Sequence, residues 1–192
     1  MSLNLSKGQR LNLSKETPHL KKVKLGLGWD VANIQGKEFD LDATVVLLKA
    51  DGKVMNDGDV VFYNQPNSRD GSTKHGGDNR TGAGVGDDET IVIELAKVHQ
   101  EIKKIVCLVT IHDAVNRQQN FGQVDAAYVR IVDEDTQVEI AKYDLSEDFS
   151  IQTSVIFSEL NRLDNGDWSF KPIGEGDKRS LGEHLKNYGV EV

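Results

Sequence analysis

Apolar and polar residues alternate in short runs along most of this chain, and turn-forming residues break the runs. A period of two places one face of a strand in a core and the other in water. Residues 23–29 predict one such strand. Phe39-Asp40-Leu41-Asp42-Ala43-Thr44-Val45-Val46-Leu47-Leu48 predicts a clearer one, and Asp51-Gly52 marks the turn after it. Val60-Val61-Phe62-Tyr63 and Thr90-Ile91-Val92-Ile93-Glu94-Leu95 continue the pattern. Residues 105–111 are apolar at nearly every position, as in a central strand buried on both faces. Residues 128–132 and 138–141 flank Asp133-Glu134-Asp135-Thr136, and residues 155–157 and 168–170 flank Asp164-Asn165-Gly166; each set reads as a hairpin.

Helical signals are few. Leu95, Val98 and Ile102 recur at helical spacing and predict a short helix over 95–103. Ser180-Leu181-Gly182-Glu183 fits a capping box and Gly189 a stop, so a helix closes the chain. Near the start, Leu3-Asn4-Leu5-Ser6-Lys7-Gly8 is echoed by Leu11-Asn12-Leu13-Ser14-Lys15, which reads as a duplicated hairpin. The sum is an all-β fold, an antiparallel β-sandwich with a few short helices, one near the C-terminus. No linker or low-complexity segment divides residues 1–192, which read as one domain.

The segment between the strands at 60–63 and 90–95 carries the chemistry. It contains Asn64, Asp70-Gly71, Gly77-Asp78-Asn79-Arg80-Thr81-Gly82 and Gly86-Asp87-Asp88-Glu89. Oxygen-bearing side chains crowd a glycine-rich backbone that lets them converge. A hard cation such as Ca²⁺ takes about 6–8 oxygen ligands in irregular geometry. No histidine–cysteine ligand set accompanies the loop, which disfavours a softer metal. Asp40 and Asp42 lie two apart in a strand, on one face and about 6–7 Å from each other, with Phe39, Leu41 and Ala43 on the other face. Such neighbours repel unless solvated or bridged by a cation. The run Gly82-Ala83-Gly84-Val85-Gly86 folds Asp87, Asp88 and Glu89 back towards Asp78 and Asn79. The candidate metal ligands are Asp40, Asp42, Asn64, Asp70, Asp78, Asn79, Asp87, Asp88 and Glu89, with Asp30 a further candidate at the end of its strand.

Charge and motif content exclude several classes. A net charge of −8, from 31 acidic and 23 basic residues, argues against nucleic-acid binding. The single cysteine, Cys107, lies in an apolar strand and reads as a buried thiol of a reducing compartment. No run approaches the roughly 20 apolar residues of a membrane span, and residues 1–7 lack a signal-peptide core, so a cytoplasmic location is expected. The EF-hand and Walker A patterns are absent, and the glycine run lacks the βαβ context of a dinucleotide site. His112-Asp113 is a neighbour pair whose side chains leave a strand on opposite faces, and no G-x-S-x-G elbow occurs. A catalytic histidine is therefore not expected. The enzymatic alternative is an Mg²⁺- or Mn²⁺-dependent hydrolase of phosphoesters that uses the same acids, with Arg80 or Lys74 binding substrate.

These segments, together with Gly26-Leu27-Gly28-Trp29-Asp30, Thr110-Ile111-His112-Asp113-Ala114, Asn120-Phe121-Gly122-Gln123-Val124, Tyr143-Asp144-Leu145-Ser146-Glu147-Asp148 and Tyr188-Gly189-Val190, resemble the TerD family of bacterial tellurium-resistance and general-stress proteins. They span nearly the whole chain in order. The resemblance implies a distantly C2-like sandwich that holds two Ca²⁺ ions in an acidic cleft and has no enzymatic activity. It also implies a cytoplasmic role in resistance to tellurite, and to phage and colicins. The implied partners are other products of the tellurite-resistance operon, some at the inner membrane. Ala83 and Val85 depart from the family, whose members usually carry acids within this glycine run. Asp177-Lys178-Arg179 also replaces a more glycine-rich stretch.

Overall fold

The computed structural model describes residues 11–12, 20–30, 38–83 and 86–191. Its strands are β1 (Leu11–Asn12), β2 (Lys22–Gly28), β3 (Leu41–Leu48), β4 (Val60–Val61), β5 (Thr73–His75), β6 (Glu89–Glu94), β7 (Lys104–Ile111), β8 (Tyr128–Asp133), β9 (Glu139–Asp144), β10 (Ser154–Arg162) and β11 (Trp168–Asp177). Short helices α1 (Ala114–Arg117) and α2 (Leu145–Asp148) interrupt them, and α3 (Leu181–Asn187) follows β11. Two antiparallel sheets result, one in the order β1-β11-β10-β7-β3-β4 and the other β5-β6-β2-β8-β9. This is the predicted sandwich.

The alternation in β3 explains the layering. Leu41, Ala43, Val45 and Leu47 enter the main core between the sheets, where Leu25, Ile91, Phe121, Phe157 and Phe170 are also buried. The opposite face of β3 is buried as well. Val46 and Leu48 form a second cluster with Val60, Val106 and Leu185, so α3 covers this part of the sheet's outer side. Asp42 lies on that outer face beyond the helix-covered patch, towards the start of the strand.

The C-terminal helix starts as predicted. Ser180 Oγ accepts from Glu183 N–H at 3.3 Å, and Glu183 Oε2 accepts from Ser180 N–H at 2.8 Å. Gly189 ends it in the left-handed region at φ 86°. Ser180→Ala should cost about 1 kcal/mol in urea unfolding. An unchanged midpoint would show that packing alone holds the helix.

Three local predictions differ from the structure. The helix expected over 95–103 is a single 3-10 turn, Leu95–Lys97. Leu95, Val98 and Ile102 are all buried, but as anchors of a loop. The Arg162 side chain takes the carbonyls of Val98, His99 and Ile102, and Asp70 takes the His99 N–H, so these backbone groups are satisfied without helical bonds. The strand at 60–63 stops at Val61, because Phe62 and Gln65 exchange backbone hydrogen bonds across a tight turn. The hairpin around Asp164-Asn165-Gly166 has much longer strands than predicted: 155–157 lie near the start of β10 and 168–170 open β11, so Phe170 pairs with Leu160. The duplicated hairpin lies outside the described residues except for β1, which pairs with β11.

Candidate metal centre

At one end of the sandwich β3 has a free edge. β4 pairs only with Val45 and Val46, so among the described residues the first half of β3 meets no strand on that side. Three acids gather there. Asp40, Asp42 and Asp78 each offer a carboxylate oxygen within 4.8 Å of the others. Phe39, Leu41 and Ala43 anchor the opposite face of the segment in the core, which aims Asp40 and Asp42 together as the alternation requires. Asp78 comes from the loop after β5 and is exposed.

Burial makes the cluster unusual. Asp40 and Asp42 are 7% and 4% exposed. Burial, reinforced by the charges of Glu89, Asp40 and Asp78, pushes the Asp42 carboxyl up to about 8. Burial also raises Asp40, against the pull of His112. The basic side chains beside them are loosely placed. Arg80 Nε stands 3.7 Å from Asp40 on a side chain that is 74% exposed, and His112 Nδ1 stands 3.7 Å from Asp42. Asp40 Oδ1 is buried with no hydrogen-bond partner among the described residues. Orphaned buried carboxylate oxygens and closely spaced like charges are what a hard divalent cation would satisfy. The donor set fits such an ion.

Glu89, the first residue of β6, reaches the free edge of β3, where its Oε2 accepts from Ala43 N–H at 2.8 Å. Burial raises its carboxyl, and the nearby His75 and the bond from Ala43 N–H oppose that rise. The ring of Tyr63 meets that of His112 edge-on at 6.2 Å. A cavity of about 470 Å³ lies between these rings and the start of α3, with Asp42 in its wall.

Asp70, Asp87 and Asp88 fall outside this group of three. Asp70 sits near the far end of β6, where Ser72 O accepts from Glu94 N–H. That is five strand residues from Glu89, or roughly 17 Å. Its Oδ1 accepts from Ser68 and Ser72, and its Oδ2 from His99 N–H. Burial would raise this carboxyl, but the hydrogen bonds win and lower it. Asp87 turns onto the outer face of the second sheet. There Arg130 grips it with Nε at 2.7 Å and Nη2 at 3.0 Å, and Tyr128 OH donates at 3.1 Å. Gly26 makes room for it, since a Cβ there would stand 2.5 Å from the Asp87 carboxylate.

Asp88 Oδ2 accepts from Trp29 N–H and Oδ1 from Asn79 Nδ2, both at 2.9 Å. Asn79 Oδ1 in turn accepts from the N–H groups of Thr81 and Gly82, so this pair shapes the loop. Asn64 is exposed in the turn after β4, next to Tyr63. Asp30 and Asp88 line a separate cavity of about 360 Å³ with Tyr128, Lys142 and Asp144. Lys74 alternates with buried Thr73 and His75 and is exposed on the other face of β5, so it does not join Arg80 at the cluster.

The comparisons with known proteins agree with this architecture. The TerD domain model matches residues 1–188. "Tellurium resistance protein TerD" of Serratia marcescens is 50% identical over 192 residues, all of both chains. "General stress protein 16U" of Bacillus subtilis is 49% identical over 193 residues, again all of both chains. Serratia marcescens proteins named tellurium resistance proteins TerX and TerZ are 38% and 35% identical over 98% and 90% of this chain, and over 100% and 89% of their own. The crystal structure of a homologue of telluride resistance protein from Streptomyces coelicolor A3(2) superposes with a TM-score of 0.77 over 90% of this chain and 99% of its own. At 23% identity that likeness establishes the shared fold. None of these names is that of an enzyme, and among the described residues no helix is long and apolar enough to cross a membrane. By its full-length match to the domain model and its half-identical relatives, the chain belongs to the TerD family.

Proposed function

We propose that this chain is a Ca²⁺-binding, non-enzymatic stress protein of the cytoplasm that contributes to tellurite resistance as an ion-dependent scaffold or regulator. The observation that carries the reading is the convergence of Asp40, Asp42 and Asp78 within 4.8 Å, two of them buried. An all-oxygen site assembled from a strand edge and a loop suits Ca²⁺, which tolerates irregular coordination, better than Mg²⁺, which demands near-octahedral geometry. The second ion implied by the family resemblance would draw on Asp30, Asp88 and Asp144, the acids around the smaller cavity. Partners are sought among other products of the tellurite-resistance operon, some of them at the inner membrane. The relatives named TerX and TerZ in one organism support a set of related proteins acting together.

Thiol chemistry on the oxyanion finds no support here. Cys107 is fully buried, and burial pushes its thiol up to about 12. The ion instead gives the protein two states, one with the acidic edge neutralised and one without. Calorimetric titration with Ca²⁺ and Mg²⁺ tests the reading. Saturable Ca²⁺ binding, much weaker Mg²⁺ binding and loss of the Ca²⁺ signal in Asp78→Asn are expected. Ligand linkage should then stabilise the fold by about 2.7 kcal/mol when free Ca²⁺ is 100 times Kd. No heat and no shift in melting temperature would end the proposal. Phosphoester turnover that disappears in Asp78→Ala would move it to the hydrolase class.

A further inference from the structure

A buried pair beside the cluster has a division of hydrogen bonds that the cluster itself does not explain. His75 at the end of β5 and Glu89 at the start of β6 are 4% and 1% exposed. Gly77 N–H donates to His75 Nδ1 at 3.1 Å. A ring nitrogen that accepts holds no proton, so the imidazole proton of this tautomer is on Nε2. Nε2 stands 3.6 Å from Glu89 Oε2, the same oxygen that accepts from Ala43 N–H. Ala43 N–H donates to that oxygen, and Nε2 faces it from 3.6 Å, buried and without a hydrogen-bond partner among the described residues. The other carboxylate oxygen, Oε1, is buried and has no hydrogen-bond partner among the described residues. A buried acceptor left bare has lost its hydration without replacement. Glu89 lies beside Asp42 through its bond to Ala43 N–H but outside the group of three acids, so its carboxylate reaches an ion seated there by a shift towards it.

We propose that His75 is a positioning residue of the cation centre: it secures Glu89 through Oε2, so that the bare Oε1 joins the ion's shell as a fourth carboxylate oxygen. This rests on the divalent-cation reading and adds to it the residue that selects which glutamate oxygen binds. At 3.6 Å the Nε2–Oε2 contact is longer than a hydrogen bond, and closure by about 0.5 Å brings it into range. Glu89 then has both oxygens engaged, one by protein donors and one by the ion. Partners that orient metal-binding carboxylates typically account for 10–100-fold in affinity. The imidazole also ties the loop after β5 to the site, because its Nδ1 holds Gly77, the residue before Asp78.

Two conservative variants separate the functions of the two nitrogens. The amide nitrogen of Gln reaches about as far as Nε2, so His75→Gln keeps a donor for Glu89 and loses the acceptor for Gly77. The carbonyl of Asn mimics Nδ1, so His75→Asn keeps the acceptor and loses the donor. Calorimetric Ca²⁺ titration of each full-length variant should show His75→Asn weakened at least about 10-fold and His75→Gln near wild type. Melting curves in chelator establish that each variant is folded. Glu89→Gln should weaken binding as well, and His75→Asn should add little in that background, because both changes break one chain of contacts. The reverse ranking, with Asn harmless and Gln damaging, would show that His75 only braces the loop. Equal affinities in all three proteins would also overturn the proposal. If Asp40→Asn abolishes Ca²⁺ binding while His75→Asn does not, the cation reading stands and the role of His75 falls. If wild-type protein takes up no Ca²⁺, both fall.

Discussion

Asp42→Asn should abolish Ca²⁺-induced stabilisation and, in chelator, raise the melting temperature. The two effects have opposite sign because the same carboxyl serves the ion and burdens the ion-free fold. Asp42 is 4% exposed and shares its edge with Asp40 and Asp78. Its carboxyl rises from 3.8 in the free side chain to about 8 in the fold, through burial first and then the charges of Glu89, Asp40 and Asp78. Between those two values the folded chain keeps a proton that the unfolded chain has released. Ion-free stability therefore falls as pH climbs through that window, by an amount on the order of a few kcal/mol. Asn carries no such charge and should flatten the slope. In the wild type Ca²⁺ competes with the proton, so its affinity should increase with pH over the same range. Urea unfolding in chelator from about pH 5 to pH 8 measures the slope, and the same series with Ca²⁺ measures the competition. A lower melting temperature for Asp42→Asn in chelator would mean that the carboxylate has a structural partner, and the account of repulsion would be wrong.

What was legible in the sequence depended on how local the cause was. The alternation in β3 placed Asp40 and Asp42 on one face and their apolar neighbours in the core, because a strand's period belongs to the backbone. The glycine-rich loop brought Asp78 to them. The same reasoning included Asp70 and Asp87, since an oxygen in a flexible loop looks alike whether it awaits a cation or a hydrogen-bond donor. Their partners arise from tertiary structure. Arg130 meets Asp87 across 43 positions, and His99 meets Asp70 across 29. His75 carried no stronger signal, because its apposition to Glu89 follows from the pairing of β5 with β6 and its tautomer from a bond to Gly77. The loop after Leu95 shows the same limit, since the donors that replace its helical bonds come from Arg162 and from the turn at Asp70.

Gly82→Ala should destabilise the protein by about 2–5 kcal/mol and disturb the loop that delivers Asp78, through two separable causes. The first is conformational. Gly82 has φ +68°, where a Cβ meets the following carbonyl and costs about 1–2 kcal/mol. The second is steric. An added Cβ would lie 2.6 Å from the Trp29 ring and 2.7 Å from the Trp29 carbonyl oxygen. Trp29 cannot easily yield, because its ring is 3% exposed, its Nε1 donates to Phe39 O, and its N–H is held by Asp88. Relief must come from the loop, where Gly82 N–H is tied to Asn79 Oδ1, one residue from Asp78. Gly52→Ala supplies the control. Its φ is +76° and an added Cβ meets nothing within 4 Å, so it carries the conformational cost alone. Urea unfolding of both variants in chelator isolates the steric part as their difference. Ca²⁺ titration of Gly82→Ala, at a temperature where it is folded, should show weakened binding, whereas Gly52→Ala should bind as wild type. Equal destabilisation of the two variants would mean that the loop does not press on Trp29, and the path by which the fold presents Asp78 to the cluster would have to be sought elsewhere.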